Sequence, residues 1–129
     1  MRQIVGYFDG TDSAVLTDLV CDGYDTVPIS NGFDNHGMHV RIINKENRVD
    51  VLIGYVHKIY SPEGSTPHGA VTYQDVFHVC HTFDIPLVLM VDRDLREKAE
   101  ALFDDIPECV YFVDPAEALS EVTEILHQR

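Results

Sequence analysis

The segment richest in groups capable of chemistry is residues 57–69, which contains two prolines and two glycines in 13 residues. Its candidate groups are two imidazoles, one ammonium and two hydroxyls, on His57, His68, Lys58, Ser65 and Thr66. A neutral imidazole can act as general acid or base at neutral pH, and the ammonium could bind an anion. Irregular segments of this length usually carry function in a compact domain. We therefore predict a long loop here that binds a ligand, with His57 and His68 as candidate catalytic residues.

A second candidate segment is the loop at residues 8–13, Phe-Asp-Gly-Thr-Asp-Ser. If a helix begins here, its first N–H groups could face a bound anion. The candidate ligand-binding residues of this loop are Asp9, Gly10, Thr11 and Ser13. Two observations oppose an anion: the carboxylates of Asp9 and Asp12 would repel it, and Thr11 or Asp12 is also explained as a helix cap.

The third candidate segment, residues 30–37, is rich in Asn, Gly and Asp. Asn31 and Gly32 are candidate ligand-binding residues, because this loop would neighbour the first one at the edge of a sheet. A simple turn is the alternative, since these residue types favour turns for conformational reasons.

The sequence identifies no metal site and no cofactor. His78 and His81 have the i, i+3 spacing of zinc ligands, but they fall opposite the apolar face of their helix, so we predict surface histidines. The three cysteines are scattered and form no CxxC pair; small buried residues are the expected role. The glycine-rich fingerprints of dinucleotide sites and P-loops are absent as well.

Apolar runs alternate with segments of helical period along the whole chain. The pattern predicts five strands, at residues 4–8, 26–30, 49–56, 86–91 and 109–113. It predicts helices at residues 14–21, 37–47, 71–83, about 95–106 and 115–126. The inward faces include Val15, Leu16, Leu19 and Val20 in the first helix and Leu95, Ala99, Leu102 and Ile106 in the fourth. Residues 37–47 also fit an edge strand, but a crossover before the buried strand at 49–56 favours a helix.

Strict alternation of strands and helices predicts an α/β fold, a doubly wound three-layer sandwich with a five-stranded, mainly parallel sheet of Rossmann-like or flavodoxin-like type. With 129 residues and no linker or repeat, we expect a single domain over 1–129. Ligands of such folds bind outside the carboxyl ends of the strands. The three candidate loops should therefore meet at one edge.

The net charge of the chain limits the kinds of molecule that it can bind. The net charge of −13, from nine basic and 22 acidic residues, opposes binding to nucleic acid. No apolar run reaches the length of a membrane span, and the first residues resemble a strand rather than a signal peptide, so we expect a cytoplasmic protein. The sequence is also compatible with a homo-oligomer.

In residues 40–103, Arg48-Val-Asp-Val-Leu-Ile53 is followed by a loop ending in Pro67-His68, a helix, and Asp84-Ile-Pro-Leu87. In this order the elements resemble a methylglyoxal synthase-type domain. That resemblance implies binding of a small phosphorylated metabolite, with His68 at the position of a loop histidine of the family. The family's Thr-Gly-Thr-Thr-Gly phosphate loop is replaced here by Ser-Asn-Gly-Phe-Asp at residues 30–34.

The same half of the chain also resembles nucleoside deoxyribosyltransferase-type folds, through Gly-Ser-Thr at residues 64–66 and Gln-Asp at 74–75. We therefore expect a domain that binds a phosphorylated metabolite or nucleotide, with or without turnover. The alternatives are a lyase or glycosyl-transferring enzyme and a non-catalytic interaction or oligomerisation module. Apolar loop residues favour the last of these, namely Phe33, Tyr55, Ile59 and Tyr60.

Overall fold

The computed structural model describes residues 3–30, 38–39, 43, 48–60 and 73–128. The strands are β1 (Ile4–Phe8), β2 (Asp25–Ser30), β3 (Met38–His39), β4 (Val51–Tyr55), β5 (Leu87–Met90) and β6 (Val110–Val113). The α-helices are α1 (Ser13–Cys21), α2 (Val56–Ile59), α3 (Tyr73–Phe83), α4 (Arg96–Glu100) and α5 (Ala118–His127). Two 3₁₀ turns, Arg93–Leu95 and Pro115–Glu117, precede α4 and α5.

The six strands of the described residues are all parallel, in the order β3-β2-β1-β4-β5-β6. This confirms the predicted doubly wound α/β fold, and the order is that of the Rossmann fold rather than the flavodoxin fold. The helix predicted at residues 37–47 is wrong at Met38–His39, which pair with Ile29 and Ser30 as a two-residue edge strand. The alternation of apolar residues there was the better guide.

The sheet contributes to two separate buried clusters, one on each face. The first also contains residues of α3 and α4, and its members include Leu52, Val76, Leu87 and Ala99. The second contains residues of α1 and α5, and its members include Leu19, Val51, Val88 and Val122. Neighbouring residues of one strand, such as Val51 and Leu52, fall in different clusters because side chains alternate across a sheet. The result is the predicted three-layer sandwich.

The first helix ends at a glycine in the left-handed conformation. Gly23 adopts a φ of +95°, its N–H bonds to the carbonyl of Val20, and the N–H of Tyr24 bonds to that of Leu19. This pair of bonds is the Schellman motif, which favours glycine at the left-handed position. Leu19 is buried as expected, but the inward position predicted for Val20 is wrong, because that side chain is 54% exposed.

The fourth helix is much shorter than the apolar period suggests. It spans Arg96–Glu100, so the predicted core face over residues 95–106 does not form. Ala99 is buried, whereas Leu95 and Leu102 are 47% and 44% exposed, and Phe103 takes the buried position instead. Asp94 and Glu97 have the spacing of a capping box, which predicts a helix start at Asp94, but the turn begins at Asp92 without a side-chain cap.

The segment after β4 begins differently from the predicted loop. Residues Val56–Ile59 form one helical turn, so His57 and Lys58 are held directly behind the strand. Ile59 is buried in the core, and Tyr60 packs edge-on against Phe103 with ring centroids 5.5 Å apart. Ile59 therefore belongs to the core, which corrects the expectation that it is an interface residue, whereas Tyr60 is half-buried and packs against that core.

Two glycines allow the central strands to pack closely. A Cβ on Gly54 of β4 would lie 2.9 Å from Cδ2 of Phe8, and one on Gly6 of β1 would lie 2.7 Å from Cδ2 of Leu52. Real Cβ atoms do not approach this closely, so both positions need glycine for space. Phe8 is thereby fixed at the end of β1, where the first loop leaves the sheet. In the parts of the chain that the structure describes, every helix is too short or too polar to cross a bilayer.

Candidate functional site

The order of the strands places a crevice between β1 and β4. The chain runs outward from β1 to β2 and β3 on one side, and from β4 to β5 and β6 on the other. At such a reversal the loops that follow the two central strands separate, and a ligand can enter between them. Here those loops are residues 9–12 after β1 and the α2 turn after β4. The structure thus brings the first loop and His57–Lys58 to one place.

Four side chains form polar contacts across this crevice. The Nζ of Lys58 lies 3.4 Å from Oδ2 of Asp9, and the hydroxyl of Tyr55 donates to Oδ2 of Asp12 at 2.9 Å. Each contact joins the loop after β1 to the end of β4 or to α2. Asp9 and Lys58 were predicted to belong to the site, and the structure places them in contact.

The first loop is organised without a side-chain cap. Asp12 stands at the N-cap position of α1 but makes no capping hydrogen bond, and the hydroxyl of Thr11 donates backward to the carbonyl of Phe8 at 2.7 Å. The expectation that Thr11 or Asp12 caps the helix through its side chain is therefore wrong. Gly10 has a φ of +86°, and a Cβ there would lie 3.3 Å from Cε of Lys58. Ser13 begins α1 and is exposed.

Beside this polar cluster, a cavity of about 520 Å³ lies over the carboxyl ends of β4 and β5. Its lining is mainly apolar and aromatic, with Tyr55, Val56, Tyr60, Met90, Val91, Leu95, Ala99 and Leu102. Its polar or charged groups are on His57, Asp92, Lys98 and the two tyrosines. Small-molecule sites are commonly concave and apolar with a few polar groups. The half-exposed Leu95 and Leu102 are explained by this position, because they line the cavity.

Tyr55 connects the cavity with the polar cluster. Its ring lines the cavity, while its hydroxyl bonds to Asp12. Burial raises the pKa of Tyr55, and the hydrogen bond to Asp12 and the charges of Asp12 and Asp92 raise it further. The phenol therefore stays protonated well into the alkaline range and can donate. Both carboxylates act on the same wall of the cavity.

His57 lines the cavity in an exposed position, with its ring centroid 5.7 Å from that of Tyr55. An imidazole there could transfer protons to or from a molecule bound in the cavity. Five other predicted site residues, His68, Asn31, Gly32, Ser65 and Thr66, lie outside the described residues.

Sequence reasoning missed two charged residues of the cavity. Asp92 follows β5, so the rule that sites form at the carboxyl ends of strands could have found it. Lys98 is on α4, and no local pattern distinguishes it from a surface lysine. Its position depends on how α4 packs over the sheet, which only the fold provides.

The histidines of α3 and the three cysteines do not line this cavity. His78 and His81 are exposed on α3 as predicted, and among the described residues no three His, Cys, Asp or Glu side chains are grouped to hold a metal. Cys80 is buried and Cys109 half-buried, and burial raises the pKa of both thiols. Cys21 is exposed, which corrects the expectation of burial for that residue.

The strand order and the cavity define an α/β domain of Rossmann-like topology with a candidate ligand site at the point where the order reverses. No protein-family model matches the chain, and no curated protein matches it in sequence.

Proposed function

We propose that this protein binds a small organic molecule at the carboxyl edge of its sheet, with an apolar or aromatic ring in the cavity and polar groups toward Tyr55 and Asp12. The observation that supports this proposal most directly is the apolar cavity over β4 and β5, beside the crevice where ligands bind in this topology. Nucleotides and nucleosides combine a planar ring with polar groups. Of the ligand classes that the sequence favours, they fit such a lining best.

A catalytic role is a further part of the proposal, and it rests on His57. The imidazole lines the cavity within reach of a bound molecule, and it is exposed to solvent, with which it could exchange protons.

A thermal-shift screen with nucleotides, nucleosides and sugar phosphates tests the proposal. A ligand at about 100 times its dissociation constant should stabilise the fold by about 2.7 kcal/mol. Leu102→Asp places a charge in the lining of the cavity and should weaken that binding at least about tenfold, equivalent to about 1.4 kcal/mol.

Ile106→Asp is the matched control, because Ile106 is 37% exposed, Leu102 is 44% exposed, and only Leu102 lines the cavity. Binding by the Ile106 variant should equal that of the unaltered protein. If no compound shifts the melting temperature, or if both variants lose affinity equally, the proposal is wrong.

The second candidate function is a non-catalytic interaction or oligomerisation module. The exposed apolar surfaces of Leu95 and Leu102 favour it, since contiguous apolar surface often marks an interface. Sedimentation of the unaltered protein over a range of concentrations distinguishes the two functions. A dimer that Leu102→Asp dissociates, together with no ligand in the screen, would support the module.

A further inference from the structure

The electrostatic character of the site limits the kind of ligand that it can take. Asp12 accepts a hydrogen bond from Tyr55 at 2.9 Å, and Asp92 lines the cavity itself. Both carboxylates raise the pKa of Tyr55, after the effect of its burial, so both act on the same wall of the cavity. Asp9 adds a third carboxylate on the same loop as Asp12.

Two lysines face these carboxylates. Lys58 is 3.4 Å from Asp9 in an ion pair, so part of its charge is neutralised. Lys98 lines the cavity from α4. Among the described residues of the crevice and the cavity, three carboxylates thus stand against two ammonium groups, in a chain whose net charge is −13. A phosphate placed beside Asp12 and Asp92 would meet like charge, which lowers affinity.

Carboxylates also favour particular groups on a ligand. Ionised Asp accepts hydrogen bonds and donates none, so it binds hydroxyl and amino groups. In dinucleotide-binding folds with this strand order, an acidic residue about 20 positions after the first turn accepts a hydrogen bond from a ribose hydroxyl group, so a carboxylate has the chemistry to bind a ribose at this edge. A ring in the apolar cavity would leave its attached polar groups facing the carboxylates.

We infer that the ligand is a nucleoside-type molecule without phosphate, with its aromatic ring in the cavity and neighbouring hydroxyl groups donating to Asp12 and Asp92. This inference rests on the proposed function, because it names the ligand class for the same cavity. It goes further in excluding the phosphorylated ligands that the sequence favours. Tyr55 acts as a positioning residue that holds the carboxylate of Asp12 toward the crevice.

Isothermal titration with the four common ribonucleosides, their 5′-monophosphates and their 2′,3′-dideoxy analogues tests the inference. We expect one ribonucleoside to bind at least about tenfold more tightly than its own monophosphate and its own dideoxy analogue. Asp12→Asn keeps the shape of the side chain and removes its charge. This variant should bind the nucleoside less tightly, and its affinity for the monophosphate should be closer to its affinity for the nucleoside.

Asp114→Asn is the matched control, since Asp114 also follows a strand but does not line this cavity. It should leave the ratio between nucleoside and monophosphate unchanged. The inference is overturned if the monophosphate binds as tightly as the nucleoside, or if a compound without a nucleoside part is the one that binds. In the first case the proposed function survives, and in the second it survives if the compound carries an apolar or aromatic ring; if nothing in either screen binds, the proposed function fails as well.

Discussion

Asp12 and Asp114 occupy equivalent places in the fold but have different partners. Each follows a strand of the sheet and stands at the N-cap position of the next helical turn. Asp114 accepts hydrogen bonds from the N–H of Ala116 at 3.0 Å and from that of Arg93 at 3.1 Å. The carboxylate of Asp12 makes no cap and accepts instead from the hydroxyl of Tyr55. The carboxylate of Asp114 therefore binds backbone N–H groups, whereas the carboxylate of Asp12 lies at the crevice between β1 and β4.

The difference shows that the same residue type can have a structural role at one strand end and a candidate binding role at another. We call these two places, the turn after β6 and the loop after β1, the two junctions. At β6, the side chain of Asp114 holds two helical turns together. At β1, the loop is held by other means, namely the bond from Thr11 to the carbonyl of Phe8 and the packing of Phe8 against Gly54. Because packing fixes that loop, its carboxylates are not needed for capping.

The largest effect that we expect concerns this packing. Gly54→Ala places a Cβ 2.9 Å from Phe8 and should lower the free energy of unfolding by about 1–3 kcal/mol, the usual cost of overpacking a core. Urea denaturation measures the change. Gly23→Ala is the control: it has open space around the new Cβ and should cost only the strain of positive φ, about 1 kcal/mol.

Phe8→Leu combined with Gly54→Ala sharpens this prediction. The smaller side chain should relieve the overlap, so the double variant should lose less stability than the sum of the two single variants. Strict additivity would mean that Phe8 and Gly54 do not hold the loop in the way described.

The second prediction compares the two aspartates directly. Asp114→Ala removes a cap and a bond to a second turn, so it should lower the melting temperature at neutral pH by a few degrees. Asp12→Ala removes only an exposed hydrogen bond to Tyr55 and should lower it less. Calorimetry of the two variants at equal ionic strength measures the difference. A larger loss from Asp12→Ala would contradict the comparison.

The effect of Asp114 should depend on pH in a defined direction. The N–H groups of Ala116 and Arg93 hold the pKa of Asp114 below its ordinary value. A carboxyl with a lowered pKa stabilises the fold above its unfolded pKa of about 3.9, and that stabilisation is lost as pH falls through the folded value. The gap in melting temperature between the unaltered protein and Asp114→Ala should therefore be constant near neutrality and shrink in acid. A gap that widens in acid would rule out this origin.

The same two aspartates show what could be predicted from the sequence. The sequence Asp114-Pro-Ala-Glu117 predicts a helix cap at Asp114 from four neighbouring residues alone, and the structure has that cap. Asp12 is also a possible cap from its local pattern, yet its partner Tyr55 is 43 positions away. Only the order of the strands brings them together, and that order cannot be read from periodicity.

The cavity illustrates the same limit. Because the carboxyl ends of parallel strands lie at the same edge of a sheet, the sequence predicts that residues 9–12 and 57–58 lie at one edge, and they do. The apolar residues at 95 and 102 fit a helical core face, but the helix ends at Glu100 and leaves them lining the cavity. Helix length depends on packing against the sheet, so the apolar half of the site could not be predicted from sequence.

The smallest effect that we expect is a change in the titration of Tyr55. Burial is the largest cause of its raised pKa, followed by the hydrogen bond to Asp12 and the charges of Asp12 and Asp92. Asp12→Ala removes one bond and one charge, so the pKa of Tyr55 should fall toward its ordinary value without reaching it. Phenolate absorbance against pH measures this, with Tyr55→Phe identifying the contribution of this residue. Asp114→Ala should leave the curve of Tyr55 unchanged, because Asp114 contacts other partners. If Asp12→Ala also left the titration curve of Tyr55 unchanged, Asp12 would not be directed at the crevice. Asp12 and Asp114 would then no longer differ in the way described.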